Sequence, residues 1–251
     1  MQLTLPRKAV QKITITPHPE WAQNFWDNLV PLKDKVSKHP FFKEVEAGTL
    51  PLELGQKALI DFYPLVENFP KYMALNLAKT KRELPGHKEA KFWLIQNIKV
   101  EQNHADWWHF WSRGFNVTDE QLIHAKPSPY MDAINNFLWN INTNSSLAEG
   151  LAATNLAVEW ATGEWTINVI EGVKSYSKNG NITVDDRVMS WLNAHATYDD
   201  EHPYEAMEII KMVATTEAER EKAFEAAQRS LEYYILALDD CYSAVTKTKV
   251  A

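Results

Sequence analysis

Several kinds of residue and motif are scarce or missing in this chain of 251 residues. It has one cysteine, Cys241, which excludes an internal disulfide framework and a metal site built from cysteines, and which is typical of a reducing cytosol. No run of about 18 apolar residues is present, so we expect no membrane span, and the N-terminus lacks the apolar core of a signal peptide. These absences predict a cytoplasmic protein.

Clusters of basic residues are absent as well, and the net charge is −7. Nucleic acids and anionic membrane surfaces attract proteins through such clusters, so neither is expected as a main partner. Strand-length alternation, a Gly-rich phosphate loop, a G-x-S-x-G motif and internal repeats are missing too. The helical periodicity that remains predicts an all-α protein of about eight to ten helices. We expect a single domain over residues 18–251, preceded by an N-terminal arm, residues 1–17.

The stretch M-S-W-L-N-A-H-A-T-Y-D-D-E-H, residues 189–202, holds the strongest functional pattern. Its His195, Asp199 and His202 recur at i, i+4 and i+7, which predicts that they share one side of a single helix. Trp191 and other apolar residues lie on that side, so it should face inward. Burying two imidazoles and a carboxylate there is costly unless they bind a cation, and iron uses such a set. Pro203 follows in a run that is still helical in period, and predicts a kink.

A second predicted helix, within residues 92–111, carries Glu101 and His104 as an E-x-x-H pair. Trp108 and other apolar residues share the face of this pair, while polar residues occupy the opposite face. An E-x-x-H pair alone is more typical of a helix surface than of a metal site. The position of this pair on the apolar face favours a metal site over a surface pair.

A third predicted helix, within residues 147–170, carries Glu159 on a face of small residues that leave room for something other than a side chain. Three carboxylates and three histidines on inward faces are the inventory of a di-metal carboxylate centre in a helical bundle. The candidate ligands are Glu101, His104, Glu159, His195, Asp199 and His202. Histidine and carboxylate ligands without sulfur suit iron or manganese, and they do not separate these metals from zinc. Two divalent ions held by three carboxylates would keep a net positive charge. This charge would bind an anionic substrate or a reduced oxygen species.

Three segments resemble the UndA family of non-haem iron oxidases, within the haem-oxygenase-like di-metal oxidases. They are V-E-Q-N-H-A-D-W-W-H-F-W-S-R-G (100–114), A-A-T-N-L-A-V-E-W-A-T-G-E-W (152–165) and W-L-N-A-H-A-T-Y-D-D-E-H-P-Y-E-A-M-E-I-I (191–210). Y-P-L-V-E-N-F-P-K-Y-M-A-L-N-L-A-K-T (63–80) extends the resemblance over most of the chain beyond the N-terminal arm. The six candidate ligands fill all six ligand positions of the family.

The resemblance implies a haem-oxygenase-like, TenA-like helical bundle with two Fe(II) ions per chain when fully loaded. It implies that O2 is a co-substrate and that a medium-chain fatty acid is oxidatively decarboxylated to a terminal alkene. The alkyl tail of such a substrate requires a long apolar pocket. We expect Trp108, Ala152, Trp191 and Tyr198 to contact it. A homodimer is left open.

Other functions compatible with the same residues stay open. Related di-metal oxidases make p-aminobenzoate, as CADD-like proteins do, or hydroxylate amino-acid nitrogen, and their ligand sets look nearly the same. A deep apolar tunnel would favour a fatty acid, and a short polar pocket would favour these others. A thiamin-salvage hydrolase of the TenA type would rely on a cysteine, and Cys241 lies in no catalytic motif. A protein-interaction module would show an exposed apolar patch and would not need buried ionisable ligands.

Overall fold

The computed structural model describes residues 12–124, 126–178, 182–197 and 201–250, the side chains of 244–250 excepted. Its α-helices are α1 (Glu20–Ser37), α2 (Pro40–Glu46), α3 (Leu52–Ala78), α4 (His87–Gly114), α5 (Asp119–His124), α6 (Pro129–Asn144), α7 (Leu147–Leu151), α8 (Glu159–Ser175), α9 (Ser190–Thr197), α10 (His202–Val213) and α11 (Glu217–Val250). A π-helical segment, Ala152–Val158, joins α7 to α8 without a break. No strand occurs in the described ranges, so the predicted all-α class is confirmed.

Local side-chain chemistry explains where several helices begin. Ser146 accepts a hydrogen bond from the backbone N–H of Glu149, whose carboxylate accepts one from the backbone N–H of Ser146, and this capping box starts α7. Thr118 and Gln121 make the same reciprocal pair at the start of α5. Thr118 before two acidic residues and the run N-T-N-S-S (142–146) are N-cap signals, so the sequence predicts both starts, and the structure confirms them.

The end of α4 differs from the prediction. A glycine that follows Arg113, the last residue of the predicted helix, predicts that the helix stops at Gly114. However, α4 includes Gly114, and the left-handed residue is Asn116, with φ of 61°. A Cβ atom at position 114 would lie 2.6 Å from Cγ2 of Val188 and 2.7 Å from the carbonyl oxygen of Thr183. Glycine is therefore needed here because another segment packs closely against the helix.

The helices surround one continuous apolar core. Helix α3 packs along α4 and α6, while α11 packs along the π segment, α6, α7 and α1. Helix α8 packs on α9 and α2, and α10 packs on the π segment. This arrangement brings α4, α9, α10 and the π segment together around the candidate ligands. Within the described ranges, the helices fall short of the length and apolar character that crossing a bilayer requires.

The prediction of one helix from Met189 through a kink at Pro203 is wrong. Helix α9 ends at Thr197, Glu201 is a bend, and α10 begins at His202 with Pro203 in its first turn. Proline has no backbone N–H and a fixed φ, so it suits the first turn of a new helix better than the interior of an old one. His195 and His202 therefore lie on different helices. The predicted ligand Asp199 and the predicted contact residue Tyr198 lie outside the described residues.

Candidate metal centre

The E-x-x-H pair lies deep inside the bundle. Glu101 is 3% exposed and His104 is 2% exposed, and Nδ1 of His104 is 2.5 Å from Oε2 of Glu101. Spacing of i, i+3 on α4 places both side chains on the same face, as the sequence predicted. A carboxylate oxygen and an imidazole nitrogen at this distance can share either a proton or a metal cation.

His195 of α9 completes this group from another direction. Its ring centroid is 4.6 Å from that of His104. Nδ1 of His195 is 2.8 Å from the backbone carbonyl oxygen of Trp191, and a carbonyl only accepts, so Nδ1 carries the proton and donates. Nε2 is then the nitrogen with a lone pair. Histidines that bind metals are typically held in this way, with the other ring nitrogen donating to a backbone carbonyl or a carboxylate.

Glu159 and His202 form the second group. Nδ1 of His202 is 3.2 Å from Oε2 of Glu159, and both side chains are buried. The side-chain amide of Asn155 donates a hydrogen bond of 2.7 Å to Oε1 of Glu159. This contact fixes the rotation of the carboxylate and directs its other oxygen toward His202.

The backbone just before Glu159 has an unusual form. The sequence predicted an uninterrupted helix over residues 147–170, whereas Ala152–Val158 is π-helical. A π segment accommodates an extra residue in its turn and shifts every side chain after it, and such segments are frequent at functional sites. The hydroxyl of Ser230 on α11 donates a hydrogen bond of 2.7 Å to the carbonyl oxygen of Ala153, and this contact helps to satisfy the widened turn.

One cavity, of about 50 Å³, is lined by the first group and by Glu159 of the second, whereas His202 is absent from its lining. It is lined by Phe62, Leu65, Val66, Phe69, Glu101, His104, Trp108, Val158, Glu159, Thr162, Trp165, Trp191, His195 and Tyr234. Among these described residues no lysine or arginine offsets the two carboxylates. Trp108 and Trp191, which we expected at the substrate, lie in this lining, whereas Ala152 does not and is fully buried in the π segment.

Several lining residues were not predicted to contribute to the site. Tyr234 has the helical spacing of an ordinary core residue, yet it lines the cavity. Its hydroxyl accepts a hydrogen bond of 3.1 Å from the indole N–H of Trp165 and lies 3.3 Å from the hydroxyl of Thr162. Burial raises the pKa of Tyr234 to about 12, so its hydroxyl stays protonated at neutral pH. No local pattern marks Tyr234, because only the packing of α11 against the π segment brings its side chain to the cavity.

A second cavity, of about 60 Å³, lies next to the first. It is lined by Phe41, Phe42, Val45, Leu50, Leu52, Gly55, Ala58, Leu59, Phe62, Trp108, Trp111, Phe115, Trp165, Val169, Val173 and Tyr176. Phe62, Trp108 and Trp165 line both cavities, so their rings form the partition between the two spaces. The lining of the second cavity is almost entirely apolar. We call the first space the polar cavity and the second the apolar cavity.

The donors present fit iron by their chemistry. They are imidazole nitrogens and carboxylate oxygens without sulfur, the set that non-haem iron uses. Within the part of the chain that the structure describes, no group of three or more histidine, cysteine or acidic residues is close enough to hold a metal ion. The described donors are instead fixed as the pairs Glu101–His104 and Glu159–His202, with His195 beside the first pair. Asp199, the sixth candidate, lies outside the described residues.

Comparisons with known proteins agree with this chemistry. A family model described as an iron-containing redox enzyme matches residues 56–235. A solved TenA homologue from Pseudomonas syringae pv. tomato is 34% identical, with a TM-score of 0.84, and the match covers 94% of this chain and 100% of that one. Comparison with curated proteins finds no match.

More distant structures share the fold. A domain of unknown function with a haem-oxygenase-like fold from Shewanella denitrificans is 18% identical, with a TM-score of 0.74, over 90% of this chain and 94% of that one. A CADD-like protein of unknown function from Nostoc punctiforme is 10% identical, with a TM-score of 0.63, over 91% and 99% of the two chains. Because the family model covers well over half of the sequence, the chain belongs to the haem-oxygenase-like family of iron-containing redox enzymes.

Proposed function

We propose that the protein is an O2-dependent iron oxidase that decarboxylates a medium-chain fatty acid to a terminal alkene. Membership of the iron-containing redox family supports the oxidase chemistry. The observation that carries the choice of substrate is the juxtaposition of two spaces. Buried carboxylate and imidazole groups open into the polar cavity, and an apolar cavity continues behind the shared rings of Phe62, Trp108 and Trp165.

This pair of cavities matches an amphiphile with an anionic head and an alkyl tail. The lining residues of the polar cavity include no lysine or arginine. Bound metal cations would therefore supply the positive charge that attracts the anionic head. Each CH2 group that leaves water for the apolar cavity contributes about 0.8 kcal/mol to binding. A short polar substrate would gain nothing from the apolar cavity, so this space favours a fatty acid over an amino acid.

Bound iron, held by Glu101, His104 and His195 and by Glu159 and His202 with Asp199, would supply the reduction of O2. The other steps belong to the chain's own residues. The hydrogen bond from His195 to the carbonyl of Trp191 holds one imidazole in place, and Asn155 holds the carboxylate of Glu159. The aromatic walls exclude water from the Cβ atom of the acid, where hydrogen is removed.

The overall reaction sets a requirement for electrons. A saturated acid RCH2CH2COOH reacts with O2, two protons and two electrons to give RCH=CH2, CO2 and two H2O. The acid supplies two of the four electrons that O2 takes up. A reductant outside the active site supplies the other two.

Headspace analysis tests the proposal. Protein loaded anaerobically with Fe(II) is mixed with a panel of saturated acids and a reductant, exposed to air, and the headspace is analysed by gas chromatography. We expect a terminal alkene one carbon shorter than the acid, and none without Fe(II) or O2. His195→Ala should abolish the product, whereas His124→Ala, which changes an exposed histidine, should not. Iron bound at wild-type level without any alkene across the panel would contradict the proposal.

One alternative from the same fold is disfavoured by the structure. A TenA-type hydrolase needs a reactive cysteine, and Cys241 is 5% exposed and lines neither cavity. Burial raises the pKa of the Cys241 thiol to about 12, so the thiolate is scarce at neutral pH. A buried, protonated thiol that lines neither cavity is a poor nucleophile.

A further inference from the structure

Four indole rings pack together beside the candidate metal centre. Trp191 of α9 lies in the middle, with its ring centroid 4.9 Å from Trp108, 5.6 Å from Trp111 and 5.7 Å from Trp165. Trp108 and Trp111 are 5.1 Å apart. We call these four residues the tryptophan group. They come from α4, α8 and α9, so the packing of three helices brings them together.

The tryptophan group contacts the candidate metal centre directly. The centroid of Trp191 is 3.8 Å from that of His195, with an angle of 34° between the two planes. The backbone carbonyl of Trp191 also accepts the hydrogen bond from Nδ1 of His195. Two contacts, one through the rings and one through a hydrogen bond, therefore join the tryptophan group to a candidate iron ligand.

Two of the four indoles have a feature that packing does not explain. The N–H groups of Trp111 and Trp191 are buried and have no hydrogen-bond partner among the described residues. Leaving such a donor unsatisfied is destabilising, and a phenylalanine would fill apolar space without this cost. By contrast, Trp108 donates to the carbonyl of Leu59, and Trp165 donates to the hydroxyl of Tyr234.

The missing acceptor has a consequence for oxidation. An indole that loses an electron normally passes its N–H proton to a neighbouring acceptor, and the resulting neutral radical is a stable trap. Among the described residues the indole N–H groups of Trp191 and Trp111 have no hydrogen-bond acceptor, so an oxidised ring would keep its proton and remain strongly oxidising. Such a ring takes an electron back from its neighbour quickly, which suits a carrier better than a store.

We propose that the tryptophan group is an electron relay that delivers single electrons to the metal centre through Trp191 and His195. Resting ferric iron is too weak an oxidant for an indole, so the relay acts only once O2 has oxidised the iron-loaded protein. Trp191 then gives up one electron toward the centre and recovers one from Trp111, Trp108 or Trp165. A low-potential one-electron donor outside the protein refills the relay, so the indoles undergo no net change. Two such transfers provide the two electrons that the decarboxylation requires. The proposal rests on iron binding at the site and does not depend on the fatty acid.

Reaction of the ferrous protein with O2 in the absence of fatty acid tests the relay. Iron-loaded ferrous protein is mixed with O2, and the transient absorbance of the oxidised indole is followed by stopped flow. Trp191→Phe should slow the formation of this transient by about tenfold or more, which corresponds to at least about 1.4 kcal/mol in the barrier. The control is Trp139→Phe, because Trp139 packs on Tyr72 outside the tryptophan group. This variant should match the wild type.

A second readout locates the oxidised rings. Ferrous protein without fatty acid or reductant is exposed repeatedly to O2, and oxidised tryptophans are mapped by peptide mass spectrometry. We expect oxidation to concentrate on the tryptophan group in the wild type and in Trp139→Phe, and to fall in Trp191→Phe. Iron content and melting temperature are measured for each variant, so that a loss of metal or of fold is separated from a loss of electron transfer.

The possible outcomes separate the two proposals. If Trp191→Phe fails to fold or to load iron, Trp111→Phe keeps the contact between Trp191 and His195, and should still alter the decay of the transient. Unchanged kinetics of the transient and an unchanged oxidation map in the variants that load iron would overturn the relay. A protein that binds no iron would also overturn it. A working relay in a protein that forms no alkene would leave the relay standing and contradict only the decarboxylation.

Discussion

Asn155 shows how a single residue can tune the candidate centre. It holds Glu159 by a hydrogen bond of 2.7 Å, and the Glu159–His202 group contains fewer nitrogen donors than the group of Glu101, His104 and His195. We therefore expect the Glu159 side to bind iron more weakly. Removing a residue that orients a metal ligand typically costs about 10–100-fold in affinity. Asn155→Leu should weaken the weaker of two binding steps in an anaerobic Fe(II) titration by this factor.

The control for this variant is Asn135→Leu. Asn135 is also a buried asparagine, but it pairs with the hydroxyl of Tyr72 and lines neither cavity. This control should lower the melting temperature without changing iron affinity. Two equally tight steps, both untouched by Asn155→Leu, would contradict the assignment of Glu159 as a ligand.

Cys241 gives a prediction about pH and reactivity. Its pKa of about 12 lies above the ordinary value because burial disfavours the charged thiolate. Below that pH the thiol keeps its proton, and at pH 8 about one molecule in 10⁴ carries the thiolate. Iodoacetamide should therefore modify the folded protein at least about 100-fold more slowly than the unfolded chain, as mass spectrometry would record. Cys241→Ala should leave alkene formation intact, and a loss of turnover would favour a cysteine-dependent reaction.

At the scale of helices, Gly163 is the informative position in α8. It lies one turn after Glu159 and is buried, yet a Cβ atom added there would meet nothing within 4 Å. This agrees with the expectation that small residues on the Glu159 face leave room. Alanine is favoured over glycine in a helix by about 1 kcal/mol. Gly163→Ala should thus raise the free energy of unfolding by up to about 1 kcal/mol in urea denaturation.

Gly150 in α7 is the matched control. A Cβ atom there would overlap Oδ1 of Asn76 and come within 2.8 Å of Oδ1 of Asn142, and these amides bond to each other. Gly150→Ala should therefore destabilise the protein although the helix propensity improves by the same amount. Destabilisation by both substitutions would show that the space beside Gly163 is filled.

The elements were predictable to different degrees. Helix starts such as Ser146 and Thr118 carry capping signals within four residues, so the sequence alone located them. The π segment was not predictable, because seven apolar and small residues fit an α-helix equally well and the widened turn depends on Ser230 from a distant helix. The break before His202 was missed because helical periodicity continues across it, whereas Pro203 in fact lies in the first turn of a new helix that begins at His202.

At the scale of the whole molecule, the two cavities predict how chain length is selected. Val173 lines the apolar cavity and is absent from the lining of the polar cavity. Val173→Phe would fill space that the end of a long tail needs, and overfilling a packed site costs about 1–3 kcal/mol. The preferred acid should become shorter, as gas chromatography of the alkene products would show. Val184→Phe, at a half-buried valine outside both linings, should leave the profile unchanged. A chain-length profile that changes equally in both variants would indicate that the alkyl tail binds elsewhere.

Only part of the site followed from the sequence. The pair Glu101–His104 was predictable, because spacing along one helix fixes which side chains share a face. The contributions of Phe62 and Tyr234 were not, since α3 and α11 are distant in sequence and meet only in the folded bundle. The apolar cavity has the same origin, so the sequence predicted the chemistry of the centre better than the shape of the space around it.

The most direct test of the central claim is anomalous diffraction at the iron edge. Crystals would be grown anaerobically with Fe(II) and a saturated medium-chain acid. We expect an iron peak between Glu101, His104 and His195, the carboxylate of the acid facing it, and the alkyl tail passing Trp108 into the apolar cavity. An iron peak remote from these residues, or an acid bound outside both cavities, would contradict the account.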